Sequence, residues 1–340
     1  MTVHADAVVS PLIRFFEIGG RVLEFRFHGE ESVAPAEGFL KGFYFTPLPA
    51  GPQSEPACTV EVSRGSPPAL PAFIETFEVP RGLCHRDGDT LQLDIDESRV
   101  ALYPPPDWRV RVWLGETAHA RHPVAIINAL SYAVQGALRK ASLFDFHAAG
   151  LVEPRTGAGL LIPAASDSGK SSLTIRLAAS GWGYLTDDML ALSDEGERVR
   201  AWAFRRTFSV REESLASVGR PKLHSALGEP VNSDPSKRAF DPAVGFPGQL
   251  VESCVPAVIC FPRLTGEAGS RLERLARPEA MRRLVRHCPW ASYDTATART
   301  HLGVLGRLAA QCDTFALHAG RDLIEQPGRA AELLSNCFGD

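Results

Sequence analysis

Residues 159–172, GLLIPAASDSGKSS, constrain this chain more than any other stretch. The apolar run Gly159, Leu160, Leu161 and Ile162 gives way to a loop of small residues. That loop enters a segment whose Leu173 and Leu177 lie one helical turn apart, with Gly181 at its end. A buried strand, a tight small-residue turn and a helix in that order make a phosphate-binding loop. Main-chain N–H groups of the turn point at an anion, and the helix dipole favours negative charge there. Lys170 is expected to reach the terminal phosphates of a nucleotide and the Ser171 hydroxyl to ligate magnesium. Ala164, Ala165, Ser166, Asp167, Ser168, Gly169 and Ser172 complete the expected nucleotide-binding set. The pattern departs at Ala164, where such loops carry glycine. If that position takes a left-handed conformation, alanine costs about 1–2 kcal/mol and nucleotide affinity suffers. An ordinary strand-to-helix turn with a surface lysine is the plain alternative.

A second element follows. Residues 182–186 read as a strand closing on Asp187 and Asp188, ahead of the apolar Met189, Leu190, Ala191 and Leu192. At the end of a parallel sheet, beside the loop strand, paired carboxylates supply what phosphoryl transfer needs: a metal ligand and a hydroxyl-activating base. Neighbouring strand residues point to opposite faces, so the two acids are expected to divide these tasks. A turn or a helix cap is the bland account of an Asp-Asp pair.

The stretch from Phe146 to Leu192, FHAAGLVEPRTGAGLLIPAASDSGKSSLTIRLAASGWGYLTDDMLAL, resembles the catalytic core of HPr kinase/phosphorylase and of the HPr-kinase-related kinases, including those found with lasso-peptide biosynthesis. That family has a histidine-initiated hairpin, a phosphate loop, a helix ending in Gly and a strand closing on Asp-Asp. The resemblance implies His147 for the histidine, Lys170 for the loop lysine, Ser171 for the magnesium serine and Asp188 for the general base. His147 would orient Asp188 or contact the transferred phosphate; a satisfied core histidine is the other reading. Two departures stand out: the missing loop glycine, and FRRTFSVREE (204–213) where the family has a Gly-rich signature. The resemblance, matched by spacing alone, implies Glu213 as a further magnesium carboxylate beside Ser171 and Asp187. Arg206, with Arg205, is a candidate for stabilising transition-state charge, and Lys237-Arg238, read as a polar loop, is a second basic pair.

Composition narrows the rest. The chain has 340 residues, 36 Lys+Arg against 40 Asp+Glu, 44% hydrophobic and 22% charged residues, which is the make-up of a folded protein without net attraction for nucleic acid or anionic lipid. No apolar run reaches the ~18 residues of a membrane span. The opening MTVHADAVVSPLIRFFEIGG lacks the order of a secretory signal, so a cytoplasmic location is expected. Seven scattered cysteines, none in a CxxC pair, argue against a disulfide framework and against zinc. Arginines between 271 and 286 read as the polar face of a helix opened by Pro278.

Residues 1–118 read as a β-rich module. RVLEFRFH (21–28) and LQLDI (91–95) alternate apolar and polar residues, and RVRVWL (109–114) forms another strand-like stretch. From Pro123 the spacing of Ile126, Ile127, Leu130, Val134 and Leu138 predicts a helix that opens the second domain, 119–340. The expected fold is therefore α/β, a phosphate-loop kinase domain of HPr-kinase type with an N-terminal β-rich module suited to substrate recognition. The expected activity is ATP- and Mg2+-dependent transfer of a γ-phosphate to a serine or threonine of a peptide or small protein, including a ribosomally made precursor peptide. A small-molecule alcohol as acceptor, and a nucleotide-binding regulatory module without transfer, are the alternatives. Oligomerisation is a family expectation.

Overall fold

The computed structural model describes residues 10–70, 75–79, 81–116, 123–165, 168–216, 218–231, 234–326 and 328–339. It is a mixed α/β structure with several sheets, and it separates into two compact units.

The first unit holds one nine-stranded sheet. Its strands are β1 (Leu12–Ile18), β2 (Arg21–His28), β3 (Thr46–Pro47), β4 (Cys58–Arg64), β5 (Glu75–Val79), β6 (Gly82–Asp87), β7 (Thr90–Ile95), β8 (Ser98–Leu102) and β9 (Arg109–Leu114), in the order β3-β1-β2-β4-β9-β8-β7-β6-β5. Period-two patterning produces it: Leu91, Leu93 and Ile95 are buried on one face of β7, and Val110, Val112 and Leu114 on one face of β9. The helix Pro123–Lys140 packs on β4, β8 and β9. Gly136 allows the close approach, since a Cβ there would stand 2.5 Å from the Leu102 side chain. Lys140 Nζ donates to the Tyr103 carbonyl and lies 4.6 Å from the Trp108 ring. The domain boundary expected near 118 therefore falls after Ala141: the apolar stripe of this helix is buried on the first sheet rather than opening the second unit.

The second unit comprises residues 142–340 together with Gly42–Tyr44. Its strands are β10 (Phe144–Phe146), β11 (Ala148–Val152), β12 (Gly159–Pro163), β13 (Gly183–Thr186), β14 (Leu190–Asp194), β15 (Val199–Ala203), β16 (Phe208–Val210), β17 (Leu227–Val231), β18 (Asp234–Phe240), β19 (Ser253–Cys254), β20 (Pro256–Leu264), β21 (Arg271–Arg274) and β22 (Asp313–Ala319). They form a six-stranded sheet β13-β11-β12-β20-β22-β21, a four-stranded sheet β10-β14-β15-β19 and a three-stranded sheet β16-β18-β17.

Alternation along β12 sends Leu160 and Ile162 into the core beneath the helix Lys170–Ala179. Leu161 faces the other side, against Val304, Leu305 and Leu308 of the helix Thr295–Gln311. Each such side chain stabilises the fold by roughly 1.5–3 kcal/mol. Three expectations change here. The strand that leads to Asp187 is not beside the loop strand: β13 pairs antiparallel with β11, which separates it from β12. Lys237 and Arg238 lie within β18, not in a loop, because β18 pairs with both β16 and β17. Arg271 and Arg274 belong to β21, and the helix begins only at Arg277, next to Pro278.

Candidate functional site

Two ribbons pass between sheets at one place. β10 of the four-stranded sheet continues through His147 into β11 of the six-stranded sheet, and β13 continues through Asp187, Asp188 and Met189 into β14. β10 pairs with β14, Phe146 opposite Leu190, and β11 pairs with β13, Gly150 opposite Thr186. His147 and the paired acids therefore face each other where both chains leave regular pairing. Buried Thr186 closes the turn around the acids by donating from Oγ1 to the Met189 carbonyl at 3.0 Å.

The loop expected to bind phosphate arrives from β12, whose Pro163 stands opposite Ala148. Ala164 is buried and is not among the non-glycine residues with positive φ, so the backbone cost expected there does not arise. The left-handed position is Gly169, φ 88°, which precedes the helix Lys170–Ala179. Ser168 Oγ donates to the Ala165 carbonyl at 2.7 Å. Ser166 and Asp167, expected nucleotide-binding residues, lie outside the described residues. The first helical bond runs from Leu173 N to Gly169 O at 2.9 Å. This leaves the amides of Lys170, Ser171 and Ser172 without intrahelical acceptors, as at any helix start, the arrangement that suits an anion.

Side chains converge on the acids. His147 Nε2 lies 2.7 Å from Asp188 Oδ1, and the buried Lys170 Nζ lies 2.9 Å from that oxygen and from the ring nitrogen. One ring nitrogen cannot both donate to Asp188 and accept from Lys170. The carboxylate is the acceptor common to both, so the proton sits on Nε2 and His147 and Lys170 both donate to Asp188. Burial acts to raise the Asp188 pKa, but the His147 hydrogen bond and the Lys170 charge outweigh it and hold the carboxyl well below its usual range. Asp187 goes the other way. Burial pushes its pKa up to about 6, with Asp188 adding repulsion and Lys170 opposing. Ser171 Oγ donates to Asp187 Oδ2 at 3.0 Å, while Oδ1 is buried without a hydrogen-bond donor. The Thr174 hydroxyl on the next helical turn donates to the Lys170 carbonyl at 2.9 Å and, with Ser171, opposes the rise of the Asp187 pKa.

That orphaned oxygen beside a serine hydroxyl suits a hard divalent cation, which takes oxygen ligands only. Among the described residues no three His, Cys, Asp or Glu side chains group as a metal site. Magnesium asks for less: one or two protein oxygens beside phosphate oxygens and water. Glu213, expected as a further metal ligand, is exposed on the short helix Glu212–Ala216 and does not line the cavity described next.

A cavity of about 510 Å³ opens over these groups, and its lining includes Lys170, Ser171, Asp187 and Asp188 together with Arg205, Arg211 and Lys237. Arg206 is not in it: its Nε donates to the Phe43 carbonyl at 2.6 Å and its guanidinium lies 4.7 Å from the Tyr44 ring. Sequence spacing cannot tell which of two adjacent arginines reaches the cavity; Arg205 lines it, and its guanidinium also lies 5.6 Å from the Phe43 ring. Arg211, Ser214 and Leu264 also line the cavity without any signal in the sequence, since the strand pairing that brings them there is non-local. His287 is a further neighbour. Its carbonyl accepts from the His147 amide at 3.2 Å, and burial, aided by the His147 and Lys170 charges, brings its pKa down to about 4.

No family model matches the chain, and no curated protein does. Among solved structures, it is similar to the Hpr(Ser) kinase/phosphatase from Coxiella burnetii at 17% identity, over 38% of this chain and 77% of that one, with a TM-score of 0.24. No helix among the described residues is long and apolar enough to cross a membrane.

Proposed function

We propose that the chain is an ATP-dependent kinase that transfers the γ-phosphoryl group to a hydroxyl, that of a serine or threonine of a peptide or small protein. One observation carries this reading: Lys170 and His147 meet on Asp188 at 2.9 and 2.7 Å, while Ser171 meets Asp187 at 3.0 Å in the same cavity. The likeness of the stretch 146–192 to HPr-kinase-type cores supports it.

In this reading the amides of Lys170, Ser171 and Ser172 bind phosphate oxygens and Lys170 supplies the positive charge. Ser171 and Asp187 would hold magnesium, whose role when bound is to neutralise charge on the phosphates. Asp188 accepts the proton of the acceptor hydroxyl. A carboxylate held as low as Asp188 is a weak base. Once Lys170 turns to a phosphate, one of the two groups holding it down is withdrawn, and the acid becomes a better proton acceptor at the moment it is needed. His147 keeps the carboxylate oriented throughout.

The test is transfer from labelled ATP to pools of hydroxyl-bearing peptides and small alcohols. Asp188→Asn is expected to lower transfer by about 10²- to 10⁴-fold, the usual worth of a positioned base, with ATP binding retained. ATP binding without transfer to any acceptor would instead favour a regulatory module.

A further inference from the structure

Resting on the kinase reading, we infer that the acceptor brings its own oxyanion, as an acidic peptide does, and that Arg205, Arg211 and Lys237 form the subsite that receives it. These residues come from a different block of the fold than the phosphate loop. Arg211 follows β16 directly and Lys237 lies in β18; the pairing of Val210 with Arg238 places Arg211 opposite Lys237 at the next ladder position. Like charges facing each other across two strands are destabilising, and an anion bound between them relieves the repulsion. Asp234 lies 3.6 Å from Lys237 and within the field of Arg211, so the cations already draw a carboxylate of their own strand to this place. Arg205 adds a third, resting on the Phe43 ring.

All three side chains line the cavity that holds Asp187 and Asp188. In the same cavity, Lys170, the first-turn amides and the Ser171–Asp187 pair already meet the needs of a triphosphate. Arg205, Arg211 and Lys237 are therefore assigned to the other substrate. Arginine and lysine there match carboxylate oxygens with charge-assisted hydrogen bonds. A phosphorylated small alcohol offers the same chemistry; the length of a peptide, which reaches beyond the cavity mouth where Arg211 is exposed, favours the acidic peptide.

The experiment uses the full chain, labelled ATP and five probes: serine peptides of equal length flanked by Asp, by Ala or by Lys, together with glycerol 3-phosphate and glycerol. The Asp peptide is expected to exceed the Ala peptide in kcat/KM by about tenfold, with the Lys peptide lower still. Lys237→Ala and Arg211→Ala are each expected to raise KM for the Asp peptide about fivefold or more while leaving KM for ATP unchanged, and Lys237→Arg to restore it. Equal use of the three peptides would overturn the inference. So would a rise in KM for ATP rather than for peptide, which would give these cations to the triphosphate. Transfer to glycerol 3-phosphate but to no peptide would overturn the acidic-peptide assignment. ATP binding with transfer to none of the probes would overturn the subsite and leave the nucleotide site standing; absence of ATP binding would remove both.

Discussion

Gly169 and Ala164 show where the loop concentrates its backbone cost. The left-handed turn falls at Gly169, one residue before the helix, and Ala164 sits buried in ordinary conformation at the end of β12. Ala164→Gly is therefore expected to leave ATP affinity within about twofold, since glycine gains nothing where φ is already negative. A tenfold gain by isothermal calorimetry would mean the loop binds in another conformation. Gly169→Ala carries the penalty instead, about 1–2 kcal/mol for a left-handed alanine, seen as a fall of a few degrees in Tm and weaker nucleotide binding. The added Cβ meets only the exposed Leu264 side chain at 3.3 Å, which can move aside, so strain rather than a clash sets the size of the effect.

Glu153 shows how one element fastens another. It lies in the turn after β11 with no exposed side-chain surface, and its carboxylate accepts from Arg155 N and Nε, from Thr156 N and Oγ1 and, at 3.1 Å, from Ser335 at the end of the helix Arg329–Ser335. Burial would raise its pKa, but these donors prevail and bring it down to about 2. A carboxyl lowered on folding contributes stability above its unfolded pKa near 4.5, and that contribution is lost as pH falls toward 2. In urea titrations between pH 7 and 2, Glu153→Gln is expected to start about 1–2 kcal/mol less stable and to lose less on acidification, solvent around the half-exposed Arg155 having screened part of the bare shift. Parallel pH curves for the two proteins would count against it. Local pattern made elements of this kind readable in the sequence: period two in β7 and β9, the apolar spacing of 123–140, the loop ahead of Leu173. Neighbours in a sheet were not readable. The placement of β11 between β12 and β13, and the pairing of β16 with β18 that lifts Lys237 out of a supposed loop, depend on contacts between residues far apart in sequence. The same non-locality hid Arg211 and left Glu213 a match of spacing alone.

At the scale of the whole chain, the second unit is not one continuous stretch. Gly42–Tyr44 belongs to it, although the residues on either side, Lys41 and Phe45, belong to the first. The three residues act as a short strap against residues 204–206: Tyr44 N donates to Phe204 O at 3.1 Å, Arg206 N donates to Gly42 O at 3.0 Å, and the Phe43 ring lies 4.7 Å from that of Phe204. Sequence gave no hint of this, because nothing in GFY distinguishes a strap from a loop, and the boundary drawn at 118 passed it by. The arrangement has a measurable consequence. Phe43 is buried, and its truncation to alanine is expected to cost about 3–5 kcal/mol, the usual loss for a core aromatic. That loss falls within the second unit. Amide hydrogen exchange of Phe43→Ala is thus expected to quicken in β15 and through residues 204–206, which lie against the strap and include the cavity-lining Arg205. Exchange in β7 and β9, whose core contains none of these residues, is expected to match the parent protein. Uniform quickening in both units would show that the strap is not a private part of the second unit, and unchanged exchange in β15 would show that Phe43 does not hold it.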